Sequence, residues 1–260
     1  LNYDGAGYNV AVGHAAGNDI STGQYNTLLG GLAGDALTDS DQNVAIGYNA
    51  LTADTLGRKS VAIGASALKS QNFTSETSTY NTAVGSDAGQ AVTTGIQNTL
   101  IGALAGDAIT DADFNTAVGY QSLSNNVLGS KNVALGYSTL ASMNPASASN
   151  TFNTAVGHAA GQVVTTGTNN TFVGGLCGDG TDDAGGNAAL GYSALSGNCG
   201  DDNSAVGSYT LFQTTGTKNT AIGQTAGYGI TSGSNNICIG AYAGRTGSPG
   251  GNVTTQNNKI

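Results

Sequence analysis

A short alternation of polar and apolar residues recurs along the chain and always ends in glycine. In the copy from Asn115 to Gly119, which reads NTAVG, asparagine is followed by a β-branched residue, a small residue, an aliphatic residue and glycine. Alternation with a period of two residues is typical of a short strand that packs one face inward. Each copy of this motif therefore predicts one β-strand.

Fourteen copies of the motif cover most of the chain at a nearly constant interval. This interval is too short for a crossover helix, and no helical periodicity appears between the copies. Repetition of this kind predicts an all-β fold, a parallel β-solenoid (β-roll) of about fourteen 17-residue coils. The closing glycines are Gly13, Gly30, Gly47, Gly64, Gly85, Gly102, Gly119, Gly136, Gly157, Gly174, Gly191, Gly207, Gly223 and Gly240.

A longer period lies on top of the short one. The fourth residue after each motif glycine follows the order Gly, Gly, Leu, Leu without error, from Gly17 to Gly244. The interval from Gly13 to Gly85 equals the interval from Gly85 to Gly157. We therefore expect a second level of repetition, in four-coil blocks of about 72 residues. The solenoid domain should span residues 1–245, and residues 246–260 should form a C-terminal tail that leads to a further segment downstream.

Each recurring position of the motif has a predicted role in the stack of coils. Asparagine stands four residues before the glycine in thirteen copies, with Ser60 as the exception. Its amide is expected to bond to the next coil, and asparagine also tolerates a left-handed turn. The closing glycine is expected to supply a positive φ or a close backbone approach.

The two faces of the predicted strand require different partners. We expect the aliphatic ladder that contains Ile101 and Val118 to fill a narrow core within the chain. The residue two before the glycine is Ala in ten copies, and a strip of this kind left in water usually marks an interface. We therefore expect a homotrimer joined along this second face. Its interface candidates are Ala11, Ala45, Ala83, Leu100, Ala117 and Phe172.

Composition excludes several classes of partner. The net charge is −9, with only seven Lys and Arg residues, and nucleic acid requires a basic face. No run of eighteen apolar residues exists, so no membrane insertion is expected. The three cysteines show no metal-ligand spacing, and we expect Cys177, Cys199 and Cys238 to be free thiols, the first and last of them small buried side chains.

Candidate chemistry is sparse. His14 and His158 occupy equivalent positions two blocks apart, and no cluster of carboxylates and basic residues is evident, so we expect neither an enzyme nor a cofactor. Carboxylates at alternating positions of a loop are a weak signal for calcium, and Asx-turns that keep the surface soluble are the preferred explanation. The calcium candidates are Asp35, Asp39, Asp41, Asp107, Asp111 and Asp113.

Two loops interrupt the regular spacing, at residues 69–80 and 141–152, and each holds four extra residues. Loops on a rigid scaffold often bind partners, and they are also the places where insertions are tolerated. The receptor-contact candidates are Asn72, Phe73, Tyr80, Met143, Asn144 and Phe152. Tyr48, Tyr120, Tyr137 and Tyr192 each follow a motif glycine, where they suit either sugar stacking or packing between coils.

The motif resembles repeats of known fibrous proteins over about residues 9–245. The copies NVAIG (Asn43 to Gly47), SVAIG (Ser60 to Gly64) and NTAIG (Asn219 to Gly223) resemble the head repeats of trimeric autotransporter adhesins, which are trimeric left-handed β-rolls. The coil of this chain is longer than the adhesin coil. NTAVGYQSL (Asn115 to Leu123) and the intervening TTG (Thr165 to Gly167) look more like repeats in the tail fibres of tailed phages.

The resemblance implies a structural fibre with a receptor-binding or attachment role, on a virion or another extracellular surface. A phage tail fibre is the first expectation, with a cell-surface glycan or protein as the receptor. A bacterial cell-surface adhesin or extracellular filament is the alternative. An ice-binding solenoid is a remote alternative, because the β-branched ladder contains Thr but is interrupted by Val, Ala, Ser and Ile.

Overall fold

The computed structural model describes residues 7–245, and among these residues it contains eighteen short β-strands and no helix. In chain order the strands are β1 (Val10–Val12), β2 (Thr27–Leu29), β3 (Val44–Ile46), β4 (Gly57–Arg58), β5 (Val61–Ile63), β6 (Thr77–Ser78), β7 (Thr82–Val84), β8 (Thr99–Ile101), β9 (Thr116–Val118), β10 (Gly129–Ser130), β11 (Val133–Leu135), β12 (Ser149–Asn150), β13 (Thr154–Val156), β14 (Thr171–Val173), β15 (Ala188–Leu190), β16 (Ser204–Val206), β17 (Thr220–Ile222) and β18 (Ile237–Ile239). The fourteen three-residue strands each coincide with one copy of the sequence motif, and we refer to them as the motif strands.

The chain divides into two compact units, Leu1–Lys131 with Ser147–Ser149, and Asn132–Ala146 with Asn150–Ile260. In the first unit the motif strands pair in the order β1-β2-β3-β5-β7-β8-β9, and each neighbour is parallel and in register. In the second unit the order is β11-β13-β14-β15-β16-β17-β18, again parallel and in register. The predicted all-β parallel β-solenoid with about fourteen coils is therefore confirmed. The predicted tail, residues 246–260, lies outside the described residues.

Each coil folds back on itself through tight turns that start at the motif glycine. Gly30 has a φ of 139°, and the turn that follows places Leu32 and Gly34 at φ values of 57° and 55°. The Gly30 carbonyl accepts a hydrogen bond from the Ala33 N–H, and the Gly34 carbonyl accepts one from the Leu37 N–H. The same sequence of bonds recurs along the chain, so each coil closes without any longer element.

The motif glycine is required for both of the reasons that the sequence suggested. A Cβ added to Gly30 would lie 2.6 Å from the Gly47 carbonyl oxygen, one coil further on. The φ of 139° is also a conformation that residues with side chains rarely adopt. The left-handed turn predicted for the asparagine belongs instead to the residue before it, as at Tyr25, Gln42 and Lys59.

The core of each coil is filled in one of two ways, and this explains the order Gly, Gly, Leu, Leu at the fourth residue after the motif glycine. Where the fourth residue after the motif glycine is Leu, as at Leu51, that side chain is fully buried. Where this position is Gly, the space is taken by the seventh residue after the motif glycine. A Cβ on Gly34, for example, would lie 2.7 Å from Leu37 and 2.9 Å from Leu28. The seventh residues of this kind that are buried and aliphatic are Ile20, Leu37, Val92, Ile109, Val164 and Ile230.

A ladder of buried asparagines closes one corner of the coils. The backbone N–H of Asn98 donates to Asn81 Oδ1 at 2.9 Å, and that of Asn115 donates to Asn98 Oδ1 at 2.9 Å. The Asn98 side-chain amide also donates to the Ala112 carbonyl at 2.8 Å. Asn98 therefore satisfies two backbone groups of the following coil in the buried interior, and its bonds to that coil are those that the sequence predicted.

Candidate functional site: the outward face of the motif strands

The motif strands bury their middle residue and turn the residues on either side of it outward. In β9 the side chain of Ala117 is fully buried, whereas Thr116 and Val118 are both partly exposed. The pattern follows from the pleat of a strand, in which successive side chains point to opposite faces. The outward face of the motif strands therefore carries the first and third residue of every strand.

This result corrects the predicted orientation of the strand. The interface candidates Ala45, Ala83, Leu100, Ala117 and Phe172 are fully buried within the chain, and Ala11 in β1 is partly buried. Side chains enclosed by their own coil cannot form a trimer interface. The aliphatic ladder that was expected inside points outward, and Ile101 is 38% exposed. The core admits small strand residues because the turn supplies Leu51 and its equivalents from the other side.

The outward face is apolar in both units. The third residue of each motif strand is Val, Ile or Leu, and neither outward position of any described motif strand carries a charged residue. In the first unit, aliphatic residues that are clearly exposed here are Val10, Val12, Leu29 and Ile101. In the second unit they are Val133, Leu135, Leu190, Val206, Ile222, Ile237 and Ile239. Continuous apolar strips of this length are uncommon on monomeric soluble proteins and mark contact surfaces.

Threonine occupies the first outward position of seven motif strands, which gives the face a few hydroxyl groups. Thr82, Thr99 and Thr116 are consecutive in the first unit, and Val takes the same position in β3 and β5. Because the strands are in register, the hydroxyls and methyl groups of neighbouring coils lie side by side. The face is therefore uncharged and combines hydroxyl and methyl groups.

The two irregular loops expose only part of the predicted receptor-contact set. Tyr80 and Phe152 are about half exposed, and Asn72 and Asn144 are exposed. Phe73 and Met143 are buried, so the prediction of a receptor contact is wrong for these two residues. Both side chains point into the core although they belong to the loops. An apolar residue in a loop sequence can be buried or exposed, and its hydrophobicity alone does not show which. A receptor role for the other four residues stays a prediction.

A buried polar network lies beneath the first loop and was not anticipated. The Asp54 carboxylate accepts hydrogen bonds from Gln71 Nε2 at 2.6 Å, from the Gly57 N–H at 3.0 Å and from the Phe73 N–H at 3.2 Å. Burial raises the pKa of this carboxyl group, and the three hydrogen bonds lower it by a smaller amount. The corresponding residue one block later is Asn126, which bonds to the N–H and carbonyl of Gly129.

The same network explains the single exception to the asparagine ladder. Gln71 Nε2 donates to Ser60 Oγ at 2.8 Å, and Gln71 Oε1 accepts from the Asn81 amide at 2.8 Å. Gln71 therefore bonds to Ser60 and to Asn81, and we infer that a larger side chain at position 60 would compete with it for space. In the second block Met143 stands at the position of Gln71, and Asn132 retains the usual residue.

Three of the carboxylates considered for calcium accept hydrogen bonds from a neighbouring coil, namely Asp35, Asp41 and Asp113. Asp41 Oδ1 accepts from the Gln24 N–H at 2.8 Å, and Asp113 Oδ1 accepts from the Ile96 N–H at 2.8 Å. Asp35 accepts from the Thr52 hydroxyl, and Asp111 accepts from the Thr110 hydroxyl. Asp39 lies 3.9 Å from Arg58. Within residues 7–245 no group of three or more metal-ligating side chains is assembled.

Asp107 is the exception among these carboxylates. One of its oxygens is buried without a hydrogen-bond partner among the described residues. Burial raises its pKa, and the nearby negative charge of Asp87 raises it further, although backbone hydrogen bonding opposes the shift.

The three cysteines are free and buried, which was expected for Cys177 and Cys238. Burial raises the pKa of the Cys177 thiol to about 12, so this group is not a reactive thiolate at neutral pH. Cys199 was expected in a loop and is instead enclosed, with its sulfur 3.2 Å from the Thr181 hydroxyl.

Comparison of the chain with protein-family models, with curated proteins and with solved structures finds no match. No helix among residues 7–245 is long and apolar enough to cross a membrane. The outward face of the motif strands is therefore the most extensive candidate site that the geometry provides.

Proposed function

We propose that the protein is the structural subunit of an extracellular fibre, that it assembles with two further copies of itself through the outward face of the motif strands, and that the fibre serves attachment. The observation that carries this proposal is the uncharged aliphatic and threonine-containing face in each unit. A chain that left this face in water would expose rows of Val, Ile and Leu side chains. Burying them against other copies removes that apolar area from water.

Self-assembly is favoured over a different partner because the face repeats. Parallel, in-register strands present the same residue types at every coil, and an identical chain offers a matching repeat. Three copies are proposed rather than two because the adhesin repeats that this motif resembles assemble as trimers. A three-fold arrangement also leaves each chain a solvent-exposed side, away from the contact between copies, for the loops at residues 69–80 and 141–152.

A tail fibre of a tailed phage is the proposed setting, with a bacterial surface adhesin or filament as the alternative. The motif copies with the longer spacing, such as Asn115 to Leu123, support the first resemblance more than the second. The attachment role is supported by Tyr80, Phe152, Asn72 and Asn144, which are exposed on irregular loops of an otherwise regular scaffold. The receptor would be a cell-surface glycan or protein.

Ice binding is a second candidate function. The strand orientation in the structure supports it more than the sequence pattern alone did. The ladder that contains Thr82, Thr99 and Thr116 is on the outward face, where an ice-binding solenoid requires it. The third strand position is Val, Ile or Leu throughout, which makes half of the face purely aliphatic. A thermal-hysteresis assay on the purified chain separates the two candidates, because a fibre subunit gives no freezing-point gap.

Immuno-electron microscopy with an antibody against the repeat domain tests the proposed setting. Label on fibres that project from virus particles is the expected result. Label confined to bacterial envelopes supports the adhesin alternative and contradicts the phage assignment. Label confined to the cell interior contradicts an extracellular fibre of either kind.

A further inference from the structure

The last three coils of the described chain depart from the repeat on one surface. In the eleven earlier coils, the fifth residue after the motif glycine is polar, charged or Ala, and it is never aromatic. In the last three coils this position holds Phe212, Tyr228 and Arg245. The side chains lie outside the core, which in these coils is filled by residues such as Leu211 and Ile230. Packing within the solenoid therefore does not require aromatic residues at these positions.

The substituted positions join neighbouring tyrosines in a continuous row of rings. The ring centroids of Tyr192 and Tyr209 are 5.4 Å apart, those of Tyr209 and Phe212 are 5.5 Å apart, and those of Phe212 and Tyr228 are 5.4 Å apart. We name Tyr192, Tyr209, Phe212, Tyr228, Tyr242 and Arg245 the aromatic row. Tyr192, Tyr209 and Tyr242 are exposed, and all six residues belong to the second unit.

Arg245 gives the row its charge. Its guanidinium carbon lies 6.0 Å from the ring centroid of Tyr228 and 5.6 Å from that of Tyr242, which is the range of a cation–π contact. No carboxylate among residues 7–245 lies within ion-pair distance of it. Arg245 and Lys218 are the two Lys or Arg residues in the described part of the second unit. The rings thus hold a guanidinium that forms no ion pair with any acid of residues 7–245.

We infer that the aromatic row binds a carboxylated polysaccharide lying along the direction in which the coils stack. This inference rests on the proposed attachment function and names its ligand. The row crosses four successive coils, with Tyr192 in the first, Tyr228 in the third and Arg245 in the fourth, so an extended chain lying along the stacking direction meets side chains of each coil. Ring edges and faces contact the apolar C–H surface of a pyranose, and the tyrosine hydroxyls donate to its oxygens. The guanidinium pairs with a carboxylate through two parallel N–H···O bonds.

A protein partner is the other class of ligand for a surface rich in Tyr and Arg. The polysaccharide is favoured because the row extends across four successive coils and because Arg245 is held beside the rings rather than among hydrophobic anchors.

The probe is a linear tetramer of galacturonic acid, with the uncharged cellulose tetramer as its comparison. Calorimetry and saturation-transfer NMR on the intact chain measure binding and the ring protons involved. We expect the acidic tetramer to bind at least tenfold more tightly than the neutral one. Arg245→Gln and Tyr228→Leu should each weaken this binding at least tenfold. Tyr25→Leu is the matched control, because Tyr25 stacks on Tyr8 at 5.5 Å in the first unit and should leave binding unchanged.

Three results overturn the inference: no binding of the acidic tetramer, equal binding of both tetramers, or binding that survives Arg245→Gln. A lower native mass of Tyr228→Leu also overturns it, because the row would then be a contact between copies of the chain. Circular dichroism of both variants establishes that they are folded. Failure of this inference leaves the proposed fibre intact, since the native mass of the wild-type chain and the immunolabelling do not depend on the aromatic row.

Discussion

The side-chain oxygen of Asn26 accepts a hydrogen bond from the backbone N–H of Asn43 at 2.9 Å, and Asn43 occupies the same motif position one coil later. The Asn26 amide meanwhile donates to the Ser40 carbonyl at 2.7 Å. The asparagine ladder therefore joins coils through buried hydrogen bonds between side chain and backbone, in addition to the strand pairing. It gives the repeat a reason to retain asparagine at thirteen of fourteen positions.

Replacing one member of this ladder should be costly. Asn98→Ala would leave the Asn115 N–H and the Ala112 carbonyl without their partners in the interior. We expect a loss of roughly 3 kcal/mol in the free energy of unfolding, measured by urea denaturation. Asn144→Ala, at an exposed loop position, is the control and should change stability by less than about 0.5 kcal/mol. Equal effects of the two substitutions would show that the ladder does not stabilise the stack.

The exception at Ser60 predicts a coupled pair. Ser60→Asn alone should destabilise the chain by about 2 kcal/mol, because the larger side chain competes with Gln71 for the same volume. Adding Gln71→Met reproduces the pair found one block later, Asn132 with Met143, and should recover at least about 1 kcal/mol. A double-mutant cycle from denaturation curves measures this coupling, and strictly additive effects would refute the proposed competition.

Two adjacent glycines provide a test of the turn geometry. Gly30→Ala should destabilise the chain by about 3 kcal/mol or more, because its φ is 139° and the new Cβ would meet the Gly47 carbonyl. Gly31→Ala should be tolerated within about 0.5 kcal/mol, since the nearest atom to the new Cβ is a Tyr48 ring carbon 3.5 Å away. Thermal denaturation of the two variants in parallel makes the comparison. Similar melting temperatures would contradict the close approach between coils.

The buried carboxyl of Asp54 should make stability depend on pH. Its pKa in the folded chain is raised above the ordinary 3.8, so just above that pH the folded state binds more protons than the unfolded state. The contribution of Asp54 to stability is therefore present at lower pH and is lost as the pH rises through the folded pKa. We expect the free energy of unfolding of the wild type, minus that of Asp54→Asn, to fall as the pH rises from the ordinary pKa to the raised pKa of the folded chain.

Position 126 supplies the reciprocal control for this effect. Asn126→Asp should introduce a similar pH dependence in the second block, where the wild-type chain has none from this site. Denaturation curves from pH 3 to pH 7 measure both differences. A difference between wild type and Asp54→Asn that is independent of pH would show that the Asp54 pKa is the same in the folded and unfolded states.

The sequence specified the strands and the coil, but not which strand face lies inside. Positions of Asn and Gly are fixed by backbone geometry, so the motif around Gly119 located a strand to the residue. Ala117 and Val118 alternate in the same way whichever face is buried. Alternation with a period of two therefore shows that the strand has two different faces, but not which of them is inside. The missing information was the turn: Leu123 is fully buried, as is Ala117 in the same coil, so the core is filled from the turn as well as from the strand. That pairing depends on packing between turn and strand, which no local pattern reports.

The sequence placed the predicted interface on the wrong strand face for the same reason. The residues of the outward face were identified only from their exposure in the structure. The network of Asp54, Gln71 and Ser60 had a signal in the sequence, because Ser60 breaks the asparagine ladder in the coil that precedes the first long loop. The partner that compensates for it lies eleven residues away in that loop, and only the folded coil brings the two side chains together.

Native mass spectrometry of the intact chain tests the central claim, that the outward face of the motif strands joins copies of the chain. The wild-type chain should have the mass of three chains. Ile101→Glu places a charge on the outward face and should yield folded single chains, whereas Ala117→Glu places it in the closed core and should prevent folding. A wild-type chain that stays single at micromolar concentration would contradict the claim. An Ile101→Glu variant that keeps the mass of three chains would contradict it as well.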